Sequence, residues 1–120
     1  MSRFGRTEIL DYAQKTFGTK ADYPFQKYPG YAALRDGEDG KWFALIMNAP
    51  RDRLGLSGDE TIDIIDVKCP PDEVEILKGK RGFLPAYHMD KKHWITIVLD
   101  GSVPKKEITR LIDGSHELIA

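Results

Sequence analysis

The residues best suited to chemistry crowd into one short segment, residues 85 to 96. The segment reads Pro-Ala-Tyr-His-Met-Asp-Lys-Lys-His-Trp-Ile-Thr. Lysines supply positive charge, histidines donate hydrogen bonds, and aromatic faces can stack on a planar base. These side chains together predict an anion site, with nucleic acid as the expected partner. The alternative is ordinary hairpin construction, with polar residues at the tip and Trp94 packed on a sheet.

The candidate binding residues form two groups. The hairpin group consists of Tyr87, His88, Lys91, Lys92, His93 and Trp94, and the second group consists of Lys78, Lys80 and Arg81. The second group extends the basic patch if the loop before the hairpin lies beside it. Residues 78–120 carry a net charge of +3 and residues 1–77 a net charge of −4. The total of −1 therefore excludes a polycation that coats nucleic acid, but not a local basic face.

Other kinds of site have less support in the sequence. His88 and His93 flank a turn with a spacing that zinc sites do not use, and Cys69 has no second cysteine. Asp63 and Asp66 point to opposite sides of a predicted strand, so they do not form an acid–base pair. No Gly-rich phosphate loop of the Walker type is present. We therefore predict a protein without enzymatic activity, metal site or cofactor.

Length and composition set the remaining bounds. The 120 residues fit one domain, taken as residues 1–120, and a single cysteine excludes a disulfide-rich secreted scaffold. The longest apolar run, residues 42–47, is far shorter than the roughly 18 residues of a membrane span. The first residues lack an apolar signal segment. We expect a cytoplasmic protein with no membrane partner.

The elements that must position the hairpin follow from periodicity and turn residues. They are a helix over 7–17 with Thr7 as N-cap, strands over 31–35, 42–48 and 61–68, a short helix from Pro70-Pro71 to Gly79, strands over 83–88 and 93–99, and a helix over 104–118. A Gly-rich turn over 36–40 joins the first two strands. The order predicts an α+β, two-layer fold, in which helices cover one face of an antiparallel five-stranded sheet.

The second face of this sheet poses a question, because two strands are apolar on both sides. Trp42, Ile46, Trp94 and Val98 are the residues assigned to that face. Either loops cover it, or it meets a partner. In the second case the protein is an interaction module or a homodimer that associates through this apolar face.

Several strings along the chain form one recognisable pattern. They are Val67-Lys68-Cys69-Pro70, Pro85 to Trp94, Leu99-Asp100-Gly101 and Leu111 to Ser115. With the opening helix and the hairpin from Tyr28-Pro29 to Met47, these strings make nearly the whole chain resemble the MmcQ/YjbR family. The resemblance implies an α-β(3)-α-β(2)-α fold, also seen in type III secretion chaperones. It further implies DNA binding, by analogy to a double-wing motif in which hairpins flank a concave sheet, and no enzymatic activity or cofactor.

The chain departs from the family pattern at four positions. Ala86 replaces a glycine, and Asp90 replaces an asparagine and adds negative charge at the turn tip. Gly114 and His116 stand where a more helix-favouring residue and an aromatic residue are usual. Gly114 should cost the last helix about 1 kcal/mol relative to alanine.

Overall fold

A computed structural model describes residues 4–36 and 39–119. The elements within these residues are α1 (Arg6–Phe17), β1 (Ala32–Asp36), β2 (Lys41–Pro50), a 3₁₀ helix (Arg51–Leu54), β3 (Thr61–Lys68), α2 (Pro71–Leu77), β4 (Phe83–Pro85), β5 (Trp94–Val98) and α3 (Lys105–Ile119). The strands form one sheet in the order β1-β2-β3-β5-β4, and each neighbouring pair is antiparallel. The predicted α+β class and element order are confirmed. The predicted turn over 36–40 includes residues 37 and 38, which lie outside the described residues.

Helix α1 begins one residue earlier than its pattern predicts. Gly5, rather than Thr7, occupies the N-cap, and the Glu8 carboxylate accepts a hydrogen bond from the Gly5 N–H at 2.9 Å. The helix ends at Gly18, as predicted, where a φ of 68° lets its N–H reach the Gln14 carbonyl oxygen. The Glu8 carboxylate therefore pairs with the Gly5 N–H, a backbone donor at the start of the helix.

The three helices cover one face of the sheet, which we call the helix face. Its apolar core includes Ile9, Ile65, Val67, Ile95, Ile97, Ile108 and Ile112. The buried Ser115 hydroxyl fixes α3 to the sheet, because it donates to the Phe43 carbonyl oxygen at 2.6 Å and accepts from the Lys68 N–H at 2.8 Å. His116 stacks on Phe17 with ring centroids 4.1 Å apart, and so takes the aromatic place in the family pattern.

A β-bulge in β2 changes which residues reach each face. Leu34 of β1 pairs with Ala44, but Arg35 pairs with Trp42, so Phe43 is an extra residue. Phe43 consequently joins Ala44 in the helix-face core, and Trp42 packs on the opposite face. Strict alternation predicts Trp42, Ala44 and Ile46 on one side, whereas the bulge leaves Trp42 on the face opposite the helices and turns Ala44 and Ile46 to the helix face.

The opposite face, which we call the loop face, is covered by irregular segments. Its buried residues include Tyr31, Ala33, Leu45, Met47, Ile64, Asp66, Thr96 and Val98, and the side chains packed over them include Phe25, Leu54, Leu56, Tyr87 and Met89. Loop cover is therefore the answer to the question posed by the apolar strands. The assignment of Ile46 to this face is wrong, because Ile46 is fully buried on the helix face.

The strand predicted over 83–88 is shorter than expected. β4 ends at Pro85, and residues 86–93 form a loop, the 86–93 loop, before β5 begins at Trp94. His88 has a φ of 65°, a left-handed backbone conformation that no extended strand contains. The loop folds back over the sheet instead of extending the strand. None of the helices in the described part of the chain is long and apolar enough to cross a membrane.

Candidate nucleic-acid interface

The 86–93 loop holds its shape through its own polar side chains. The Lys91 ammonium donates to the Ala86 carbonyl oxygen at 2.9 Å, and Asp90 pairs with the His93 ring. Asp90 also accepts from the Lys92 N–H at 3.0 Å. The hydrogen bond from His93, with that of Lys92, lowers the pKa of Asp90. The acidic turn tip is thus locally compensated, although it departs from the family pattern.

A basic cavity lies between this loop and the 3₁₀ helix. Its volume is about 220 Å³, and its lining residues are Arg53, Leu54, Leu84, Pro85, Ala86, Tyr87 and Lys91. Arg53 and Lys91 are both exposed. The fold therefore brings together two cations from segments that are distant in sequence. An arginine and a lysine beside one concavity suit a phosphate or another oxyanion.

An aromatic cavity of about 240 Å³ lies on the same face. It is lined by Phe25, Tyr28, Tyr31, Trp42, Leu45, His88 and Met89. Tyr28 and Tyr31 stack with centroids 4.7 Å apart, and Phe25 meets Trp42 edge to face at 5.7 Å. Such ring walls bind flat apolar or aromatic groups.

The two cavities are neighbours, because consecutive residues of the 86–93 loop line them. Tyr87 lines the basic cavity and His88 the aromatic one, with ring centroids 4.0 Å apart. The pKa of Tyr31 responds to residues of both cavities. Burial chiefly raises the pKa of Tyr31, the Tyr87 and Tyr28 hydroxyls raise it further, and the charge of Arg53 lowers it.

A buried carboxyl group lies on the floor of this face. Asp66 is fully buried, and its Oδ1 accepts from the Thr96 hydroxyl at 2.5 Å. The same hydroxyl accepts from the Tyr87 N–H at 2.9 Å, so it ties the 86–93 loop to the sheet. Asp66 Oδ2 has no hydrogen-bond partner among residues 4–36 and 39–119. Burial raises the pKa of Asp66 to about 7, against the lowering effects of Thr96 and Lys91.

The predicted binding residues are only partly brought together. Tyr87, His88 and Lys91 line the two cavities, while Lys92 and His93 are exposed on the same loop. Trp94 is only 8% exposed, so its ring face is not offered to a base, contrary to the expectation. Its strand position places it in the sheet interior rather than on the hairpin tip.

The second predicted group lies elsewhere. Lys78 pairs with Glu75 at 2.8 Å. Lys80 and Arg81 line a separate depression that also contains Val103 and Glu107. Lys80 and Arg81 therefore line a different depression from Arg53 and Lys91, and their extension of the hairpin patch stays a prediction.

A depression of about 400 Å³ lies on the helix side between α2 and α3. Its side chains are already engaged with one another. The Cys69 thiol donates to Glu73 at 3.1 Å, and Glu73 pairs with Arg110. Burial, together with Glu73, raises the pKa of Cys69 to about 12, so this thiol is a poor nucleophile. No cluster of three or more metal-ligating side chains occurs within residues 4–36 and 39–119.

Sequence reasoning missed several residues of the interface. Asp66 was considered only as half of an acid–base pair, although a lone carboxylate within the apolar run Ile64-Ile65-Asp66-Val67 is itself a signal. Arg53 was assigned to no predicted site. Tyr28, Tyr31 and Trp42 meet the hairpin through tertiary packing, which no local pattern encodes.

Known proteins resemble the whole domain. The YjbR family model matches residues 14–118. The chain is 46% identical over 113 residues to the uncharacterized protein YyaQ of Bacillus subtilis (strain 168), an alignment that covers 94% of this chain and 96% of that protein. It is 35% identical over 54 residues to the uncharacterized protein YjbR of Escherichia coli (strain K12), which covers 44% of this chain and 46% of that one.

Solved structures give the same picture. A crystal structure of a Pseudomonas syringae protein matches with a TM-score of 0.92 and 46% identity, and the match covers 95% of this chain and 97% of that one. The Deinococcus radiodurans protein DR2400, described as a DUF419 domain, matches with a TM-score of 0.72 over 94% of this chain and 76% of its own. Its 23% identity makes it a comparison of fold alone. The family resemblance read from the sequence strings is thus confirmed.

Proposed function

This chain belongs to the YjbR family, and we propose that it binds nucleic acid through its loop face. The binding surface consists of the basic cavity, the aromatic cavity and the exposed side chains beside them, and we call it the rim. One observation carries the proposal: Arg53 and Lys91 line a single cavity that adjoins an aromatic one. Phosphate contacts supply most of the affinity of nucleic-acid-binding proteins, and aromatic rings add contacts to bases. The loop face offers both kinds of group side by side.

The charge balance of this rim supports an anionic partner. Lys92 adds an exposed cation beside Lys91, and Asp90 is already compensated by His93 and the Lys92 N–H. Asp66 lies beneath the rim, and its pKa of about 7 keeps it protonated below neutral pH. A phosphate therefore meets two or three cations and little opposing charge.

The proposed role is binding without catalysis. The Cys69 thiol lies on the helix face, and its raised pKa keeps it protonated. The alternative role, a protein-interaction or dimerisation module, depended on an uncovered apolar sheet face. Because loops cover that face, we do not propose this role.

A binding titration with charge variants tests the proposal. Fluorescence anisotropy of labelled single-stranded and duplex DNA is measured with the wild type and with Arg53→Ala plus Lys91→Ala, at about 50 and 200 mM salt. We expect the double variant to bind at least tenfold more weakly. Its dependence of log K on log salt should be shallower by about 1 to 2, because two phosphate contacts are lost.

Lys80→Ala plus Arg81→Ala is the matched control, since it removes the same charge from a different depression. We expect this control to keep wild-type affinity. If both double variants lowered the DNA affinity equally, net charge alone would explain the effect, and the proposed rim would be contradicted. Absence of binding by the wild type at low salt would contradict nucleic-acid binding altogether.

A further inference from the structure

We infer that the aromatic cavity takes one unstacked nucleobase, so that this protein prefers single-stranded nucleic acid to duplex. The inference rests on the proposed function and names its ligand class. It is carried by the aromatic cavity itself, by the left-handed backbone of His88, and by the basic cavity on the other side of Tyr87.

The size of the aromatic cavity selects its occupant. Its volume of about 240 Å³ falls below the roughly 300–1,000 Å³ of sites for drug-sized ligands. One flat ring system is the ligand class that matches this space and these walls. Phe25 meets Tyr31 and Trp42 edge to face, and Tyr28 stacks on Tyr31. Because the rings do not form one continuous stack, part of their aromatic surface can contact an occupant.

Access to the cavity is provided by Tyr28. This side chain lines the cavity and is 48% exposed, although its ring stacks on the buried Tyr31. Trp42 also lines the cavity and is only partly buried. An incoming base can therefore stack without first displacing core residues.

His88 marks the same edge as functional. Its φ of 65° is a left-handed backbone conformation that few residues other than glycine adopt. Strain of this kind concentrates at ligand clamps. It holds the His88 ring at the mouth of the aromatic cavity, 6.3 Å from Tyr31 and 4.0 Å from Tyr87.

The neighbouring basic cavity makes a nucleotide a better fit than an isolated aromatic molecule. Tyr87 and His88 separate the two cavities by a single residue step, which resembles the short connection between a base and its phosphate. In a duplex, a base must unpair and unstack before it can enter, at a cost of a few kcal/mol. A single strand avoids that cost.

The test compares three oligonucleotides of one length: a single strand, its duplex, and a single strand with abasic sites in place of its bases. We expect the wild-type protein to bind the intact single strand between about fivefold and a hundredfold more tightly than the abasic strand. Duplex should also bind more weakly than the intact strand. The abasic strand should retain the salt-dependent binding that Arg53 and Lys91 provide.

Two exposed tyrosines of the same segment provide a variant and its control. Tyr28→Ala removes a cavity wall, whereas Tyr23→Ala removes a tyrosine that is 54% exposed and does not line the cavity. We expect Tyr28→Ala to abolish the difference between intact and abasic strands, and Tyr23→Ala to preserve it. Both changes replace side chains that are about half exposed.

Trp42 supplies an independent readout. The chain has two tryptophans, so Trp94→Phe leaves Trp42 as the only tryptophan. We expect the intact strand, but not the abasic strand, to quench its emission. Equal affinity for intact and abasic strands, with unchanged Trp42 emission, would overturn the inference. If binding still depended on Arg53 and Lys91, that result would leave the proposed function standing. A change of Trp42 emission with protein concentration alone would identify a second copy as the occupant and would also overturn it.

Discussion

The two faces of the sheet bury similar apolar side chains under different kinds of cover. On the helix face, α1, α2 and α3 pack on a continuous core, and the buried Ser115 hydroxyl has both a donor and an acceptor. On the loop face, irregular segments lie over the sheet, two cavities remain, and one oxygen of the buried Asp66 has no partner.

The difference follows from how each cover satisfies its own backbone. A helix pairs its interior N–H and C=O groups internally, so it can present an apolar surface closely to the sheet. A loop has unpaired backbone groups and needs polar anchors, such as Thr96 for the Tyr87 N–H. Loops therefore leave concavities lined by exposed side chains, and binding concentrates in such loops, whereas Cys69, Glu73 and Arg110 in the depression between α2 and α3 already bond one another.

The largest expected effect sharpens this contrast within one strand. Ile64 and Ile65 are adjacent and fully buried, and they point to the loop face and the helix face respectively. We expect alanine at each to lower the free energy of unfolding by about 2–5 kcal/mol, with the greater loss at Ile65. Loops can relax into the resulting cavity, whereas packed helices cannot. Urea unfolding measures both, and an equal or reversed loss would show that the loops pack as rigidly as the helices.

The buried carboxyl group should make the loop face sensitive to pH. The pKa of Asp66 is about 7 in the folded protein against 3.8 for an ordinary aspartate, so the folded chain keeps a proton that the unfolded chain releases between these values. Asp66 therefore reduces stability as pH rises from about 4 to above 7, by about 4 kcal/mol. Asp66→Asn removes this titration.

Denaturant unfolding of wild type and Asp66→Asn at about pH 5 and pH 8.5 measures this effect. We expect the variant to gain stability over wild type as pH increases. Asp63→Asn, the same change at a half-buried carboxylate of β3, controls for the loss of a carboxylate as such. A constant difference between Asp66→Asn and wild type across this range would contradict the assignment.

Two bridging hydroxyls allow the faces to be compared by function. Ser115→Ala removes the hydrogen-bond partner of the Phe43 carbonyl and the Lys68 N–H. Thr96→Val removes the partner of the Asp66 carboxyl group and the Tyr87 N–H. Each should lower the free energy of unfolding by about 1–3 kcal/mol. We expect only Thr96→Val to weaken nucleic-acid binding, because it frees the 86–93 loop. Equal affinities of the two folded variants in the anisotropy titration would show that the 86–93 loop takes no part in binding.

The smallest expected effect is a gain on the helix side. Gly114 lies within α3, and a methyl group added there meets no atom within 4 Å. Gly114→Ala should raise the free energy of unfolding by about 1 kcal/mol through helix propensity alone. Its nucleic-acid affinity should equal that of the wild type. A loss of affinity would mean that the helix side takes part in binding.

The sequence predicts the helix face better than the loop face. Periodicity places Ile108, Leu111 and Ile112 on one side of a helix, and all three are buried. The turn residues and strand patterns likewise predict the order of elements. These features succeed because each is local to a few turns of helix or a single strand.

The loop face depends on contacts that local patterns do not contain. The bulge at Phe43 separates Trp42 from Ile46, which alternation had placed on one face, and the left-handed His88 ends a strand that alternation had extended. Arg53 and Lys91 line one cavity only because the 3₁₀ helix and the 86–93 loop both cover the loop face. The anion site predicted from the residue types of the hairpin stays a prediction, and the partners of those residues come from the tertiary fold.

Amide chemical-shift mapping tests most directly that binding belongs to the loop face. Isotope-labelled protein is titrated with the single-stranded oligonucleotide, and shifts are followed for every assigned amide. We predict that the largest changes fall in residues 25–31, 51–56 and 84–93, with little change in α2 and α3. Changes centred on residues 71–77 and 105–119 would place binding on the helix side and contradict the account.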